Sequence, residues 1–81
     1  MNNEEIRNVV FETLKTIAPE LDESDLKPDR PLRDQVDLDS MDWLNFLVGL
    51  HQRLHVEIPE ADYRRLTTLN AVVDYLASKG V

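Results

Sequence analysis

The 81-residue sequence contains no cysteine, and this absence removes several kinds of chemistry. Without thiols there is no disulfide framework, no thiolate nucleophile and no cysteine-ligated zinc site, so packing alone must stabilise the fold. Glycine is scarce as well, with only Gly49 and Gly80, and no G-x-S-x-G turn presents a serine nucleophile. Redox chemistry at a protein thiol and hydrolysis at a nucleophile elbow are therefore excluded.

Long apolar runs and basic charge are also missing. No run approaches the roughly 20 apolar residues that cross a bilayer, and the opening MNNEEIRNVV is not a signal peptide, so we expect a cytoplasmic protein without a membrane span. Nine basic against sixteen acidic side chains give a net charge of −7, which disfavours nucleic acid and favours a basic protein partner. The whole excess lies in residues 1–42, because residues 43–81 are neutral.

What the sequence does contain is the composition of a globular helical domain. Hydrophobic residues make up 42% and charged residues 31%. There is no internal repeat, low-complexity tract or Gly/Ser linker, so residues 1–81 are predicted to form a single domain, and we expect a monomer.

Hydrophobic periodicity predicts an all-α fold of four helices. The first helix is capped by Asn2 or Asn3 and ends before Pro19. Residues 19–39 contain three prolines and no sustained period, which predicts a long loop with at most one short turn near residues 24–26. Its regularly spaced apolar residues predict that the loop is held against the core; these are Leu21, Leu26, Leu32, Val36 and Leu38.

The second half of the sequence predicts three further helices. A second helix begins at Asp39 or Ser40 and runs to about Leu54. Residues 60–66 form a short third helix behind a proline, and a fourth begins after residue 67 or 68 and stops at Gly80. The connector at residues 55–59 has no partner strand elsewhere in the chain.

The second helix carries more apolar surface than one core contact requires. Its core face consists of Trp43, Phe46, Leu47, Leu50 and Leu54. Met41, Leu44 and Val48, here called the apolar stripe, fall on a separate face. The long loop or the first helix covers this stripe, or it binds another protein. Gly49 falls on the polar side of the helix, where it is simply tolerated at a cost of about 1 kcal/mol relative to alanine.

Ser40 is the main candidate for a functional residue. It lies in Asp37-Leu38-Asp39-Ser40-Met41-Asp42, where the long loop meets a helix N-terminus. The first-turn amides and the helix dipole would favour a phosphate attached to its hydroxyl, whereas the neighbouring aspartates would direct that group outward. The alternative is that Ser40 is only a helix N-cap.

Two metal sites are considered and disfavoured. His51 and His55 have the i, i+4 spacing of helical ligands, but no H-E-x-x-H frame surrounds them, and two surface histidines are the better interpretation. Asp37, Asp39 and Asp42 suggest calcium, yet an EF-hand loop starting at Asp37 lacks the required glycine and glutamate.

Four segments of the sequence together form a recognisable pattern: Asp39-Ser40-Met41-Asp42, Ile58-Pro59, Leu66-Thr67-Thr68-Leu69 and Val73-Asp74-Tyr75-Leu76. With these segments in register, the sequence resembles the acyl carrier proteins over nearly its whole length, and Asp39-Ser40-Met41-Asp42 is similar to the family's attachment motif. The resemblance implies a four-helix bundle with a long loop between the first and second helices and with no catalytic activity. It also implies 4′-phosphopantetheine on Ser40, flanked by Asp39 and Met41, placed there by a phosphopantetheinyl transferase. The thiol of that arm would hold acyl groups as thioesters for acyl-loading and acyl-processing enzymes, and the second and third helices are candidate lining for the acyl chain.

The sequence departs from the family on the exposed side of the second helix. Carriers of fatty acid synthesis are strongly acidic there, whereas this chain has Asn45, His51, Gln52 and Arg53. We therefore expect a specialised carrier, docked through the apolar stripe and steered by Asp37, Asp39 and Asp42. A peptidyl or aryl carrier of non-ribosomal synthesis and a small acidic helical adaptor remain the alternatives.

Overall fold

A computed structural model describes residues 1–81 and shows a helical chain without a β-sheet, as predicted. The α-helices are α1 (Asn3–Ile17), α2 (Leu32–Gln35), α3 (Ser40–Leu54) and α4 (Leu69–Ser78), and two 3₁₀ helices span Glu23–Asp25 and Glu60–Arg65. The predicted first, second and fourth helices are therefore α1, α3 and α4, and the predicted short third helix is the 3₁₀ helix Glu60–Arg65. No helix combines the length and the apolar character needed to cross a bilayer.

The helix ends follow from local hydrogen bonding. Asn2 caps α1: its side chain accepts from the Glu5 backbone N–H at 2.8 Å, and the Glu5 carboxylate accepts from the Asn2 N–H at 3.0 Å. Thr68 caps α4 by accepting from the Ala71 N–H at 3.0 Å. Gly80 follows α4 with a φ of 81°, a conformation that glycine adopts without strain. The predicted ends of the first and fourth helices are thus confirmed.

One hydrophobic core joins the helices and the long loop. Helix α1 packs against both α3 and α4. Eighteen buried apolar residues form the core, and four of them come from the loop between α1 and α3, namely Leu26, Leu32, Val36 and Leu38. The prediction that this loop is held against the core is confirmed.

The long loop contains more structure than predicted, because α2 lies within it in addition to the 3₁₀ turn. Pro31 precedes α2 with a φ of −56°, which suits a helix entrance. Leu32 in its first position is fully buried. The Gln35 side chain closes the loop by accepting from the Lys27 N–H at 2.6 Å and donating to the Lys27 carbonyl at 2.8 Å. The prediction of at most one short turn is wrong, since tertiary burial stabilises a helix too short to show a period.

The loop is also joined to the beginning of α4. The Leu32 N–H donates to the Thr67 carbonyl at 2.8 Å, and the Asn70 N–H donates to the Pro28 carbonyl at 3.0 Å. These bonds link residues 35 and 42 positions apart in sequence, and they hold α2 beside the segment that connects the second 3₁₀ helix to α4.

The helical pattern of the sequence placed Gly49 on the polar side of the second helix, and this prediction is wrong. A Cβ atom at this position would lie 2.8 Å from the Cγ2 methyl of Thr13, which is buried in α1. The glycine is therefore placed where α3 approaches α1 closely. The helical wheel alone missed this because α3 packs against α1 beyond the edge of its predicted core face.

Candidate functional site

Ser40 is the first residue of α3, and its side chain is exposed. The helix cap is formed by its neighbour: the Asp39 carboxylate accepts from the Asp42 N–H at 2.8 Å, and the Asp42 carboxylate accepts from the Asp39 N–H at 3.5 Å. The alternative that Ser40 serves only as an N-cap is therefore wrong. Its hydroxyl belongs to the surface and is not needed to begin the helix.

The backbone that leads to Ser40 is firmly held. Val36 and Leu38, four and two residues before it, are both buried in the core. The first helical bond of α3 runs from the Trp43 N–H to the Asp39 carbonyl at 3.0 Å. A group attached to the hydroxyl would thus start from a fixed point at the positive end of the α3 dipole, which favours a phosphate.

Carboxylates surround this point. Asp37 and Asp39 are exposed and Asp42 is half-buried, and all three lie within three residues of Ser40 in sequence. The negative potential of these carboxylates is the kind that would attract a basic surface and would repel a second anion from the same side of Ser40.

The apolar stripe is exposed along α3. Met41, Leu44 and Val48 show 66%, 42% and 43% of their surface to solvent. Neither the long loop nor α1 covers them, so that alternative interpretation is wrong. The residues flanking the stripe, Asn45, His51, Gln52 and Arg53, are also exposed.

The two histidines, His51 and His55, have structural roles at the C-terminal end of α3. The His51 Nδ1–H donates to the Val56 carbonyl at 2.7 Å, and His55 ends α3 in the left-handed region with a φ of 52°. His55 therefore does not extend the helical face of His51. No group of three or more histidine and carboxylate side chains is placed to share a metal ion, at the histidines or among the aspartates beside Ser40.

A cavity of about 210 Å³ lies beside Trp43, one turn into α3, between the two predicted helices that the resemblance names as candidate lining. Its lining comes from α2, α3, the 3₁₀ helix Glu60–Arg65 and the segment before α4; we call it the arginine cavity, and its residues are Pro31, Arg33, Trp43, Tyr63, Arg64, Leu66 and Thr67. Trp43 is half-buried and packs on Phe46 with ring centroids 5.1 Å apart. No local signal predicts this cavity, because its residues are spread over 37 positions of sequence.

The 3₁₀ helix that forms one side of the arginine cavity is fastened to α4. The Tyr75 hydroxyl donates to the Asp62 carboxylate at 2.6 Å. Burial, and then this hydrogen bond, raise the pKa of Tyr75 to about 12. The Arg65 guanidinium also lies over the Tyr75 ring, 5.5 Å from its centroid. The 3₁₀ helix Glu60–Arg65 is thus positioned by α4 as well as by the core.

A second cavity, of about 190 Å³, lies between α3 and the segment that follows it. Its residues are Leu47, Val48, His51, Glu57, Ile58 and Tyr63. Both cavities therefore lie between α3 and the 3₁₀ helix Glu60–Arg65, where the resemblance places lining for an acyl chain.

Comparisons with known proteins agree with this geometry. The family described as "Phosphopantetheine attachment site" matches residues 4–76. An acyl carrier protein of Acidothermus cellulolyticus is 28% identical over 81 residues, covering 100% of this chain and 95% of the relative. An acyl carrier protein of Rubrobacter xylanophilus is 30% identical over 56 residues, or 69% of each chain. The solution structure of an Anaplasma phagocytophilum protein assigned as an acyl carrier protein superposes with a TM-score of 0.85 at 28% identity, covering 100% of this chain and 94% of the other.

The matched family places this helical bundle, with its exposed serine at the start of α3, in the class of proteins that hold a prosthetic arm. The chain belongs to the phosphopantetheine-binding acyl carrier protein family. Its role is to carry acyl groups, and its cofactor is the 4′-phosphopantetheine that the family bears on a serine. The exposed hydroxyl of Ser40, which the helix cap does not use, fits such an attachment.

Proposed function

We propose that Ser40 is the residue that bears the 4′-phosphopantetheine arm. The observation that carries this proposal is the position of Ser40 on the surface at the first turn of α3, with the capping role already taken by Asp39. The other two serines are engaged locally: the Ser24 hydroxyl donates to Asp22 at 3.0 Å, and the Ser78 hydroxyl donates to the Tyr75 carbonyl at 2.6 Å.

The attachment is a phosphoryl transfer in which this chain supplies the nucleophile. The Ser40 Oγ forms a bond to the β-phosphorus of coenzyme A, the bond to 3′,5′-ADP breaks, and the hydroxyl proton passes to a base of the transferase. Nothing more is needed from the chain than an accessible hydroxyl on a rigid helix start. In this proposal the protein is a carrier and not a catalyst.

The bound arm supplies a thiol that holds the acyl group as a thioester. The chain's own contribution is to fix one end of the tether, which keeps the cargo at a high effective concentration near any docked enzyme. Since the protein has no cysteine, no thiol of its own competes for that cargo.

Docking is proposed to use the apolar stripe together with the carboxylates of Asp37, Asp39 and Asp42. The stripe offers contact area, and the carboxylates steer a basic partner to the end of α3 from which the arm emerges. The partners are the phosphopantetheinyl transferase and the acyl-loading and acyl-processing enzymes. Residues 1–81 then act as one monomeric carrier domain in the cytoplasm.

The pathway is proposed to be a specialised one. Beyond Asp42, α3 contains no acidic residue, so a partner with a row of basic side chains along the helix finds no matching charge. Charge is concentrated at the serine end, which supports a dedicated set of acyl enzymes in preference to those of general fatty acid synthesis.

Incubation of the protein with coenzyme A and a permissive transferase tests the attachment. Intact mass should rise by one phosphopantetheine in the wild type and in Ser24→Ala, which alters a matched exposed serine, and should stay unchanged in Ser40→Ala. Modification of Ser40→Ala would assign the arm to another residue. Loading with fatty, amino or aryl acids by their ligases then separates an acyl carrier from a peptidyl or aryl carrier.

A further inference from the structure

The arginine cavity has a charge opposite to that of the protein as a whole. Two of the nine basic side chains, Arg33 and Arg64, line it, and no carboxylate does, although the net charge is −7. We propose that this cavity binds a carboxylate at the far end of the cargo, so that the carried group is a short acyl chain derived from a dicarboxylic acid. This inference rests on the proposed attachment at Ser40.

The chemistry of the lining fits such a group. Arg33 comes from α2 and Arg64 from the second 3₁₀ helix, so two separate elements each contribute an exposed arginine to the lining of one cavity. Guanidinium forks match carboxylates with paired hydrogen bonds. The half-buried rings of Trp43 and Tyr63 supply an apolar surface for the methylene groups between the thioester and the carboxylate.

The acidic residues adjacent to Trp43 and Tyr63 are engaged in hydrogen bonds of their own. Asp42, adjacent to Trp43, accepts from the Asp39 backbone N–H, and Asp62, adjacent to Tyr63, accepts from the Tyr75 hydroxyl at 2.6 Å. Neither residue lines the cavity. An incoming carboxylate therefore meets the two arginines without an acidic side chain in the lining.

The position and size of the cavity suit a tethered, short cargo. Trp43 lies three residues after Ser40, about 4.5 Å along the helix axis and about 60° around it. The volume of about 210 Å³ equals the share of about seven water molecules in the liquid, which accommodates a few carbon atoms and a carboxylate. The Leu32–Thr67 backbone bond at 2.8 Å holds two of the elements that form its walls together.

The test compares two acyl groups of equal chain length that differ in the terminal carboxylate. The full-length protein is loaded from butyryl-coenzyme A or succinyl-coenzyme A by a permissive transferase, and intact mass confirms each product. Trp43 is the only tryptophan, so its fluorescence and its indole N–H resonance report on the cavity wall. We expect the succinyl form to change both signals at least twice as much as the butyryl form.

Variants assign the effect to the arginines. Arg33→Gln and Arg64→Gln should each remove at least half of the succinyl-specific change. Arg53→Gln removes the same charge from a side chain of α3 that is also exposed but does not line the cavity, and it should retain the change. Equal signals from the two acyl forms would overturn the proposal. A change already complete in the holo form without an acyl group would also overturn it, since the anion would then be the phosphate of the arm. Failure of the loading step itself registers as an unchanged mass, and so counts against the attachment at Ser40 instead.

Discussion

Gly49 allows α3 to approach α1 closely, and its replacement by alanine is expected to destabilise the protein. A Cβ atom would lie 2.8 Å from the Thr13 Cγ2, well inside the 3.5–4.0 Å at which carbon atoms attract each other. Thr13 is 2% exposed, and its hydroxyl donates to the Val9 carbonyl at 2.7 Å. Because rotation of the side chain would break this hydrogen bond, we expect the buried methyl group to stay in the path of the added Cβ atom.

Two opposing contributions decide whether Gly49→Ala raises or lowers the free energy of unfolding. Alanine in place of glycine favours the helix by about 1 kcal/mol. Overpacking a filled contact costs about 1–3 kcal/mol. For Gly49→Ala we expect a net loss of about 1 kcal/mol in the free energy of unfolding, which lowers the melting temperature of a domain of this size by about 4–8 °C.

Thermal and urea unfolding of a double-mutant cycle with Thr13→Ser provides the assay. Serine removes the Cγ2 methyl and keeps the hydroxyl, at a cost of about 1 kcal/mol by itself. In the Thr13→Ser background, Gly49→Ala should then raise stability by about 1 kcal/mol, because only the helix preference remains. Stabilisation of equal size in both backgrounds would refute the close packing of α1 and α3 described here.

Three further predictions concern the cap, the third helical segment and the apolar stripe. Asp39→Ala should lower the unfolding free energy by about 1 kcal/mol in denaturant titrations, and Ser40→Ala should change it by less than about 0.5 kcal/mol; equal losses would contradict the assignment of the cap. Because the Tyr75 pKa is raised to about 12, the contribution of the Tyr75 hydroxyl to stability is complete below about pH 10 and is lost as the pH rises through 12. The melting temperature should therefore decline over this alkaline range, and Tyr75→Phe should make the decline smaller. A decline of the same size in the variant would exclude Tyr75 as its source. Leu44→Asp should leave the melting temperature nearly unchanged while slowing transferase modification at least tenfold in a mass-based time course, and an unchanged rate would remove Leu44 from the docking surface.

The sequence was most informative where a residue's role depends on near neighbours. The caps, the two long helices and the exposed position of Ser40 all follow from patterns within one or two turns. The 3₁₀ character of residues 60–65 and the helix α2 did not, because each is too short for a period and is held by distant contacts such as Tyr75 with Asp62 and Leu32 with Thr67.

The surroundings of Ser40 also depend on contacts between residues that are distant in sequence, and for that reason the sequence did not predict them. Arg33 and Arg64 are 31 positions apart and belong to segments that look like ordinary polar surface, so their place in the lining of one cavity depends on tertiary contacts such as the Leu32–Thr67 hydrogen bond. Gly49 was misplaced for a related reason: its close approach to Thr13 of α1 is a tertiary contact, which a wheel projection of α3 alone does not show.

Intact mass spectrometry of the protein from its native host, followed by fragmentation, tests the central assignment most directly. We predict a single phosphopantetheine, with or without cargo, on the peptide that contains Ser40. A chain that lacks this modification while its pathway is active, or one that bears it on Ser24 or Ser78, would contradict the account.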